Sequence, residues 1–297
     1  MHRSQLTLWI VGVFLLAVGI FWMAERKEDS SGLAFAVAEL DGLESLQREF
    51  GKFRDLLVNK SGVPIKFYSV PNRVAATEAL AASQIDLLVA GPSEYVVIAS
   101  RTPVEIVVGL QRAEYYCVIV TRKNTEVHSL PDFVGRKLAL GDPGSTSKHL
   151  APLLMLKQAG VMPSEVQLIH TSSVQMGWEA LLAGDVDGFA TTSDKYKSLM
   201  SKSSRETQSE IRLLQRSNDL PGDVILARKD INPDVLNRMR SAIMANTPLF
   251  VDAICSGVDN QKYIGMSLSD KITDRDYDST REMFSVADMS YLLAPKR

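Results

Sequence analysis

The most restrictive feature of this sequence is an alternation of short apolar runs with amphipathic stretches, which begins after Gly32. The runs have the length and composition of buried strands, and the stretches between them show helical periodicity. The strand-like runs are residues 33–38, 64–70, 85–90, 104–110, 115–120, 137–141, 166–171, 186–190 and 224–227. Strands that alternate with helices predict an α/β fold with largely parallel sheets. The C-terminal part of the chain is predicted to be helical.

An uncharged apolar block, residues 6–23, precedes this alternation. As a helix it would be about 27 Å long, close to the thickness of a bilayer core, so we interpret residues 1–24 as a signal peptide or an N-terminal membrane anchor. The block is longer than the apolar part of a typical cleaved leader, which favours an uncleaved anchor. Residues 25–32 then form a polar tether. With either interpretation the chain beyond the tether is exported.

Charge and composition exclude several classes of function. The chain has 33 basic and 35 acidic residues, a net charge of −2, and no run of five basic residues, so nothing indicates nucleic-acid binding. The four histidines and two cysteines lack metal-ligand spacing, and we expect no metal and no cofactor. Cys117 and Cys255 are able to pair outside the cytoplasm, but spacing alone leaves this open. The acidic balance also suggests that an anion would be held by neutral donors more than by net charge.

The segment most informative about chemistry is residues 137–152. A buried strand enters an Asp-Pro-Gly turn, and Ser145, Thr146 and Ser147 then open an apolar helix. The first N–H groups of a helix lack partners and carry partial positive charge, and the hydroxyls add further donors. Three or four charge-assisted hydrogen bonds of roughly 1.5 to 3 kcal/mol each would support micromolar binding of an oxyanion. The alternative, in which one hydroxyl only caps the helix, stays open on these residues alone.

An enzymatic alternative comes from the same residues. Ser145-Thr146-Ser147-Lys148 matches the S-x-x-K nucleophile motif of penicillin-binding proteins and serine β-lactamases. Those enzymes also require a later Ser-x-Asn and then a Lys-Thr-Gly, and the sequence contains neither. We therefore expect that the protein is not an enzyme.

The motifs resemble one known family. The stretch 129–147, with Leu-Ala-Pro at 150–152, is similar to the signature of the phosphonate, phosphite and phosphate substrate-binding proteins of bacterial ABC transporters. Further matches stand in the family's order at 85–86 and 91–95, before this stretch, and at 182–187 and 221–223, after it. The resemblance covers residues 33 to 250, approximately.

The resemblance implies a two-lobed, type II periplasmic-binding-protein-like α/β fold. Its lobes would be joined by a hinge of two crossing strands, with one N-terminal transmembrane or signal helix before them. Chain order then places lobe one at 33–120 plus 227–297 and lobe two at 121–226. The implied function is an extracytoplasmic solute-binding protein that delivers a small oxyanion to an ABC transporter permease at the bacterial inner membrane. The alternative is a membrane-tethered protein that presents the oxyanion to a receptor or signalling partner.

Five residues acquire roles in ligand binding from the resemblance. Ser145, Thr146 and Ser147 would hold the phosphonate oxygens. Tyr115 stands where the family has a tyrosine that donates to the same group. Asp223 stands where an acid meets the protonated edge of the ligand.

Two more candidate residues bear on which oxyanion is bound. Asp194 lies near a family acid that pairs with the amino group of aminoethylphosphonate. Arg73 stands where the family commonly has a tyrosine, and its planar charge could select a ligand with a second anionic group. The family's usual histidine is absent at 173–175, where Ser-Val-Gln stands. The sequence therefore does not rank phosphate, phosphite and phosphonates.

Overall fold

The structure is a computed structural model that describes residues 32–293, apart from residues 39 and 41. The predicted signal peptide or anchor at 1–24, and nearly all of the predicted tether at 25–32, lie outside the described residues. Within the described part of the chain, none of the helices has the length and apolar character needed to cross a bilayer.

The strands fall close to the apolar runs of the sequence. In chain order they are β1 (Leu33–Val37), β2 (Ile65–Phe67), β3 (Leu87–Ala90), β4 (Val104–Gln111), β5 (Cys117–Arg122), β6 (Lys137–Leu140), β7 (Gln167–His170), β8 (Gly188–Thr192), β9 (Ile211–Arg216), β10 (Asp223–Arg228) and β11 (Ser267–Ser269). They form a six-stranded sheet in the order β11-β4-β10-β3-β1-β2 and a five-stranded sheet in the order β7-β6-β8-β5-β9. The predicted α/β class is confirmed, with two sheets.

The helices connect these strands and cover the sheets. In chain order they are α1 (Leu43–Ser61), α2 (Arg73–Ala81), α3 (Pro92–Arg101), α4 (Ala151–Gln158), α5 (Val174–Ala183), α6 (Ser193–Lys202), α7 (Arg205–Glu210), α8 (Pro233–Ala245), α9 (Thr247–Cys255) and α10 (Asp278–Val286). A π-helical turn, Thr146–Leu150, leads directly into α4. The C-terminal part is helical as predicted except for the short strand β11, which adds to the edge of the six-stranded sheet.

The prediction of largely parallel sheets is wrong, because both sheets are mixed. β1 runs parallel to β2 and β3, and β6 runs parallel to β7 and β8. β10 is antiparallel to β3 and β4, and β5 is antiparallel to β8 and β9. β5 and β10 are the strands that the chain enters after passing from one sheet to the other. Each of these two strands therefore runs antiparallel to the strands that βαβ crossovers place in the same sheet.

The amphipathic pattern of α1 shows how local sequence builds the core. Its apolar residues recur at helical spacing, so one face of the helix is buried against the six-stranded sheet. Phe53 on this face lies 5.8 Å, centroid to centroid, from the ring of Phe35 in β1. Burial of each large apolar side chain contributes about 1.5 to 3 kcal/mol. The helix ends at Gly62, whose φ of 67° is left-handed.

The chain passes between the sheets twice, at residues 112–116 and 217–222. Gly222 lies on the return passage, where a Cβ atom would be 2.3 Å from the carbonyl oxygen of Leu110. Only glycine fits so close to the end of β4. The Tyr277 hydroxyl donates to the Gly222 carbonyl at 3.0 Å and holds this passage in place.

The last helix, α10, contacts both halves of the molecule. It packs against α3 on the six-stranded side, and against α4 and the π-helical turn on the five-stranded side. Its buried residues Met283 and Phe284 belong to an apolar cluster that includes residues of both halves.

Cys117 and Cys255 are both free thiols in the structure. Cys117 is buried in β5, and Cys255 ends α9 on the other side of the molecule. The disulfide that the sequence left open is not formed.

Candidate functional site

A cavity of about 110 Å³ lies between the two sheets. Pockets for drug-sized ligands usually have volumes of about 300 to 1,000 Å³, so this cavity suits a much smaller ligand. Its lining is polar and comes from both halves. The lining residues are Arg73, Gly91, Pro92, Ser93, Glu94, Arg112, Tyr115, Ser145, Thr146, Ser147, Lys148, Thr192, Asp194, Lys195, Asp223 and Lys262.

The structure brings all seven candidate residues of the sequence analysis to this one cavity. They come from the start of α2, the first passage between the sheets, the π-helical turn, α6 and the start of β10. The residues are Arg73, Tyr115, Ser145, Thr146, Ser147, Asp194 and Asp223. Their roles as ligand contacts stay predictions.

Three helical N-termini open onto the cavity. α3 starts after β3, the π-helical turn and α4 start after β6, and α6 starts after β8. Each places its first turn and the positive end of its dipole at the carboxyl edge of a sheet. Ligands of open α/β sheets bind at this edge, and the positive helix ends favour an anion.

One wall of the cavity, which we call the hydroxyl wall, consists of Ser145, Thr146 and Ser147. The Ser145 backbone carbonyl accepts hydrogen bonds from the N–H groups of His149 and Leu150, at 3.0 and 2.9 Å. Its side chain makes no capping hydrogen bond, so the structure does not show the simple helix cap that the sequence left open. The Thr146 hydroxyl accepts the Ser93 N–H at 3.1 Å and so links the two halves.

His149 supports the hydroxyl wall from behind. Its Nδ1 atom accepts the Gly144 N–H at 3.2 Å, just before Ser145, at a glycine whose φ is +83°. Burial, and then the neighbouring His170 ring at 5.1 Å, lower the pKa of His149 to about 4. The imidazole is therefore neutral near pH 7, and it remains able to accept this hydrogen bond.

The opposite wall, which we call the charged wall, consists of Arg73, Glu94, Arg112, Asp223 and Lys262 and belongs to the six-stranded half. Nε of Arg73 lies 2.6 Å from the Glu94 carboxylate, which is buried. Arg73 is the first residue of α2, where a cation meets the positive end of the helix dipole. The negative charge of Glu94, in the first turn of α3, offsets the unfavourable position of Arg73 at a helix N-terminus.

Asp223 is the acid at the centre of the charged wall. It is buried at the start of β10, and the buried Tyr263 hydroxyl donates to its Oδ2 atom. Lys262 Nζ lies 3.8 Å from the same oxygen. Burial, and then the Asp223 charge, raise the pKa of Tyr263, so this tyrosine stays a neutral donor.

Arg112 was not singled out by the sequence, and it is among the most buried of the charged groups. Its guanidinium carbon lies 3.8 Å from the Tyr115 ring centroid, and its Nη2 atom lies 3.8 Å from Oδ1 of Asp194. Burial lowers the pKa of Arg112, but the Asp223 and Asp194 charges outweigh that effect and raise it. The sequence offered one indication that Arg112 lines the cavity, which is its position three residues before the candidate Tyr115.

The lining of the cavity is positively charged, whereas the sequence led us to expect mainly neutral donors. Five cationic side chains face three carboxylates, which leaves two positive charges in excess. The chain as a whole is mildly acidic, and we expected neutral donors to dominate. The cavity instead combines a neutral wall with a positively charged one. Among the described residues, no three His, Cys, Asp or Glu side chains are placed to hold a metal ion.

Two mixed sheets with a small, cation-rich cavity between them define a two-sheet α/β binding protein. Residues 39–248 match the family described as ABC transporter, phosphonate, periplasmic substrate-binding protein. The chain belongs to this family, as the resemblance of its motifs indicated. The family consists of solute-binding proteins and is not a family of enzymes.

Similar proteins agree with this assignment. The phosphate-import protein PhnD of Mycolicibacterium smegmatis is 24% identical over 286 residues, which cover 86% of this chain and 85% of that protein. The structure of PhnD1 from Prochlorococcus marinus in complex with methylphosphonate has a TM-score of 0.67 at 20% identity, over 87% of this chain and 99% of that one. A Xanthomonas citri protein bound to ATP has a TM-score of 0.71 at 14% identity, over 88% and 98%. These structural likenesses show the fold.

Proposed function

We propose that the protein is the extracytoplasmic solute-binding component of an ABC importer and that it captures a phosphonate, phosphite or phosphate oxyanion in the cavity between its sheets. The observation that carries the proposal is the convergence of three helical N-termini, the hydroxyl wall and excess positive charge on one cavity of about 110 Å³. A small tetrahedral oxyanion satisfies all three at once, because it offers several acceptor oxygens and negative charge.

The family resemblance and the lining of the cavity support the following individual contacts. The hydroxyls of Ser145, Thr146 and Ser147 donate to the oxyanion from the five-stranded half. Tyr115 and Arg73 donate from the six-stranded half. Asp223 accepts a hydrogen bond from a protonated oxygen of the ligand, since an ionised carboxylate is only an acceptor.

The two sheets are the centres of two lobes that close on the ligand. With the sheets as reference, we place the lobe boundaries in the passages 112–116 and 217–222, slightly before the ends of the predicted ranges 33–120 and 121–226. The Ser93 N–H to Thr146 hydroxyl bond then joins one lobe to the other at the cavity.

The apolar block at 6–23 supports a membrane-tethered form of this function. A retained helix would hold the binding lobes on the outer face of the inner membrane, near the permease, at high effective concentration. It equally fits the alternative in which the protein presents its ligand to a receptor. Mass measurement of the mature protein tests retention, and co-purification with a permease or a receptor distinguishes the two partners.

A ligand panel tests the proposal directly. The full chain, purified in detergent, is heated with phosphate, phosphite, methylphosphonate, aminoethylphosphonate or an alkylsulfonate. A ligand present at a hundred times its Kd stabilises the folded state by about 2.7 kcal/mol, which is a readily measured rise in Tm. We expect such a rise with at least one phosphorus oxyanion. An unchanged Tm across the panel would contradict the proposal.

A further inference from the structure

The carboxylate of Asp194 faces cations on both of its oxygens. Arg112 Nη2 lies 3.8 Å from Oδ1, and Lys195 Nζ lies 3.9 Å from Oδ2. The Arg112 side chain is 8% exposed, so water screens its charge poorly. The acid that the resemblance relates to a ligand amine is therefore already matched by protein cations.

The other two carboxylates of the lining are matched in the same way. Glu94 lies 2.6 Å from Arg73, and Asp223 faces Lys262 and accepts from Tyr263. An ammonium group of a ligand would have to compete with an arginine or a lysine at each of these carboxylates. It would also lie close to cations of its own sign, which is unfavourable in a buried site.

Arg112 and Asp194 also each carry a buried polar atom without a hydrogen-bond partner among the described residues. These atoms are Nε of Arg112 and Oδ1 of Asp194. A buried guanidinium N–H requires an acceptor, and an oxyanion oxygen is one. Oδ1 of Asp194 requires a donor, which a protonated oxygen of the ligand supplies. Any phosphonate provides the acceptor for Arg112, so the preference against an ammonium rests on the cations that already face the three carboxylates.

We propose that the cavity takes wholly anionic phosphorus oxyanions, such as phosphate, phosphite and alkylphosphonates, and rejects aminoalkylphosphonates, with Arg112 as the residue that sets this preference. The inference rests on the proposed function and narrows its substrate class. It differs from what the resemblance implies for Asp194, because here that acid holds Arg112 in place.

A matched pair of ligands tests the inference without any substitution. Ethylphosphonate and 2-aminoethylphosphonate differ by one ammonium group on the second carbon. Isothermal titration of the full chain at pH 7 is expected to give a Kd at least tenfold lower for ethylphosphonate. Equal binding of the two ligands, or tighter binding of 2-aminoethylphosphonate, would overturn the inference.

Two substitutions test whether Arg112 and Asp194 cause the preference for ethylphosphonate. Arg112→Gln removes the charge and is expected to reduce the ratio of the two Kd values at least tenfold, towards one. Asp194→Asn keeps an oxygen beside Arg112 but removes one negative charge from the lining, so it is expected to strengthen ethylphosphonate binding at least threefold. A tenfold loss of 2-aminoethylphosphonate binding in Asp194→Asn would show that Asp194 binds the amine, and would overturn the inference.

Arg240→Gln is the matched control, because Arg240 also pairs with a carboxylate, that of Glu105 at 2.8 Å, away from the cavity. It is expected to leave the ratio unchanged, and an equal fall of the ratio in this variant would also count against Arg112. If Arg112→Gln does not fold, the wild-type ratio and Asp194→Asn decide the question. Failure of the wild-type chain to bind any phosphorus oxyanion would overturn the proposed function and the inference together, whereas equal binding of the two ligands would overturn the inference alone.

Discussion

The two walls of the cavity offer different chemistry to the anion that we propose as ligand. The hydroxyl wall presents neutral donors at the start of a helix in the five-stranded half. The charged wall presents arginine, lysine and carboxylate side chains held in ion pairs by the six-stranded half. Neutral donors fixed by backbone geometry recognise the positions of oxygens. Paired charges recognise the net charge of the ligand and where that charge lies. A charge added to or removed from the ligand changes its interaction with every ion pair nearby.

This difference explains why binding strength and ligand choice need not depend on the same residues. Hydroxyl groups at a helix N-terminus bind any tetrahedral oxyanion of the right size. A charged wall of three cations and two carboxylates distinguishes among such ions by their substituents. The hydroxyl wall carries the motif by which the sequence resembles its family. The chain departs from the family's usual residues at Arg73, on the charged wall, and at 173–175, where the usual histidine is absent.

Removing the hydroxyl wall is expected to have the largest effect. The triple variant Ser145→Ala, Thr146→Ala, Ser147→Ala loses three charge-assisted hydrogen bonds of roughly 1.5 to 3 kcal/mol each, which predicts binding weaker by about a thousandfold or more. Isothermal titration with the ligand that binds best measures it. Ser201→Ala with Ser209→Ala, two exposed serines, is the control. Retained binding by the triple variant would place the anion elsewhere.

Changing the charged wall is expected to alter preference more than overall binding. Arg73→Tyr restores the residue that the family commonly has and removes one cation from the cavity. It should weaken binding of phosphonoacetate, which has a second anionic group, about tenfold relative to methylphosphonate. An unchanged ratio of the Kd values for phosphonoacetate and methylphosphonate would mean that Arg73 does not contact the second anionic group.

The Arg73 experiment needs a correction for stability. Glu94 is buried, so loss of its arginine leaves a carboxylate without that partner and costs about 1 to 3 kcal/mol of unfolding free energy. The double variant Arg73→Tyr, Glu94→Gln removes that cost. Arg54→Tyr, at an arginine of α1 away from the cavity, controls for the added ring.

The hydrogen bond between Ser93 and Thr146, which links the two halves, is expected to contribute less. Thr146→Val removes the acceptor of the Ser93 N–H and should lower the unfolding free energy by about 1 kcal/mol, measured by urea denaturation. Thr121→Val is a closely matched control, because Thr121 is also buried and its hydroxyl has no hydrogen-bond partner among the described residues. Equal losses in the two variants would show that the link contributes nothing.

The smallest effect concerns His149, behind the hydroxyl wall. Its pKa is about 4 in the folded protein against an ordinary value of 6.5, so the unfolded chain takes up a proton first as pH falls. Stability from this group is complete above pH 6.5 and is lost between pH 6.5 and 4. After allowance for partial solvation of the ring, the loss from pH 7 to 5.5 is roughly 0.5 to 1 kcal/mol. Urea denaturation at both pH values measures it, and His149→Gln should abolish this part of the loss, whereas the exposed His128→Gln should not.

Much of the fold was predictable because most of its strands are buried, although the edge strands β2 and β7 are partly exposed. The nine apolar runs correspond to β1 to β8 and β10, and the turn and helix that carry the hydroxyl wall follow β6 as expected. β9 was missed because it is an edge strand in which exposed polar residues interrupt the apolar pattern. β11 has only three residues, too few to show a periodicity.

The hydroxyl wall was predictable from the sequence, and most of the charged wall was not. Ser145, Thr146 and Ser147 are consecutive, so their shared chemistry is visible in the chain itself. Arg112, Glu94 and Lys262 come together only through the pairing of distant strands and the passage between the sheets. Ion pairs between segments far apart in sequence leave no local pattern, and one sequence alone does not reveal them.

The placement of α10 bears on how fast the protein exchanges its ligand. This helix packs on α3 in one lobe and on α4 in the other, through the buried side chains of Met283 and Phe284. If the two halves separate to release the ligand, as the proposed function requires, the helix keeps its contacts with only one of them. The barrier to opening would then include the loss of those apolar contacts. Residence time is therefore set partly at a surface that the ligand never touches, and a smaller side chain at Phe284 would speed dissociation while leaving the hydrogen bonds to the anion intact.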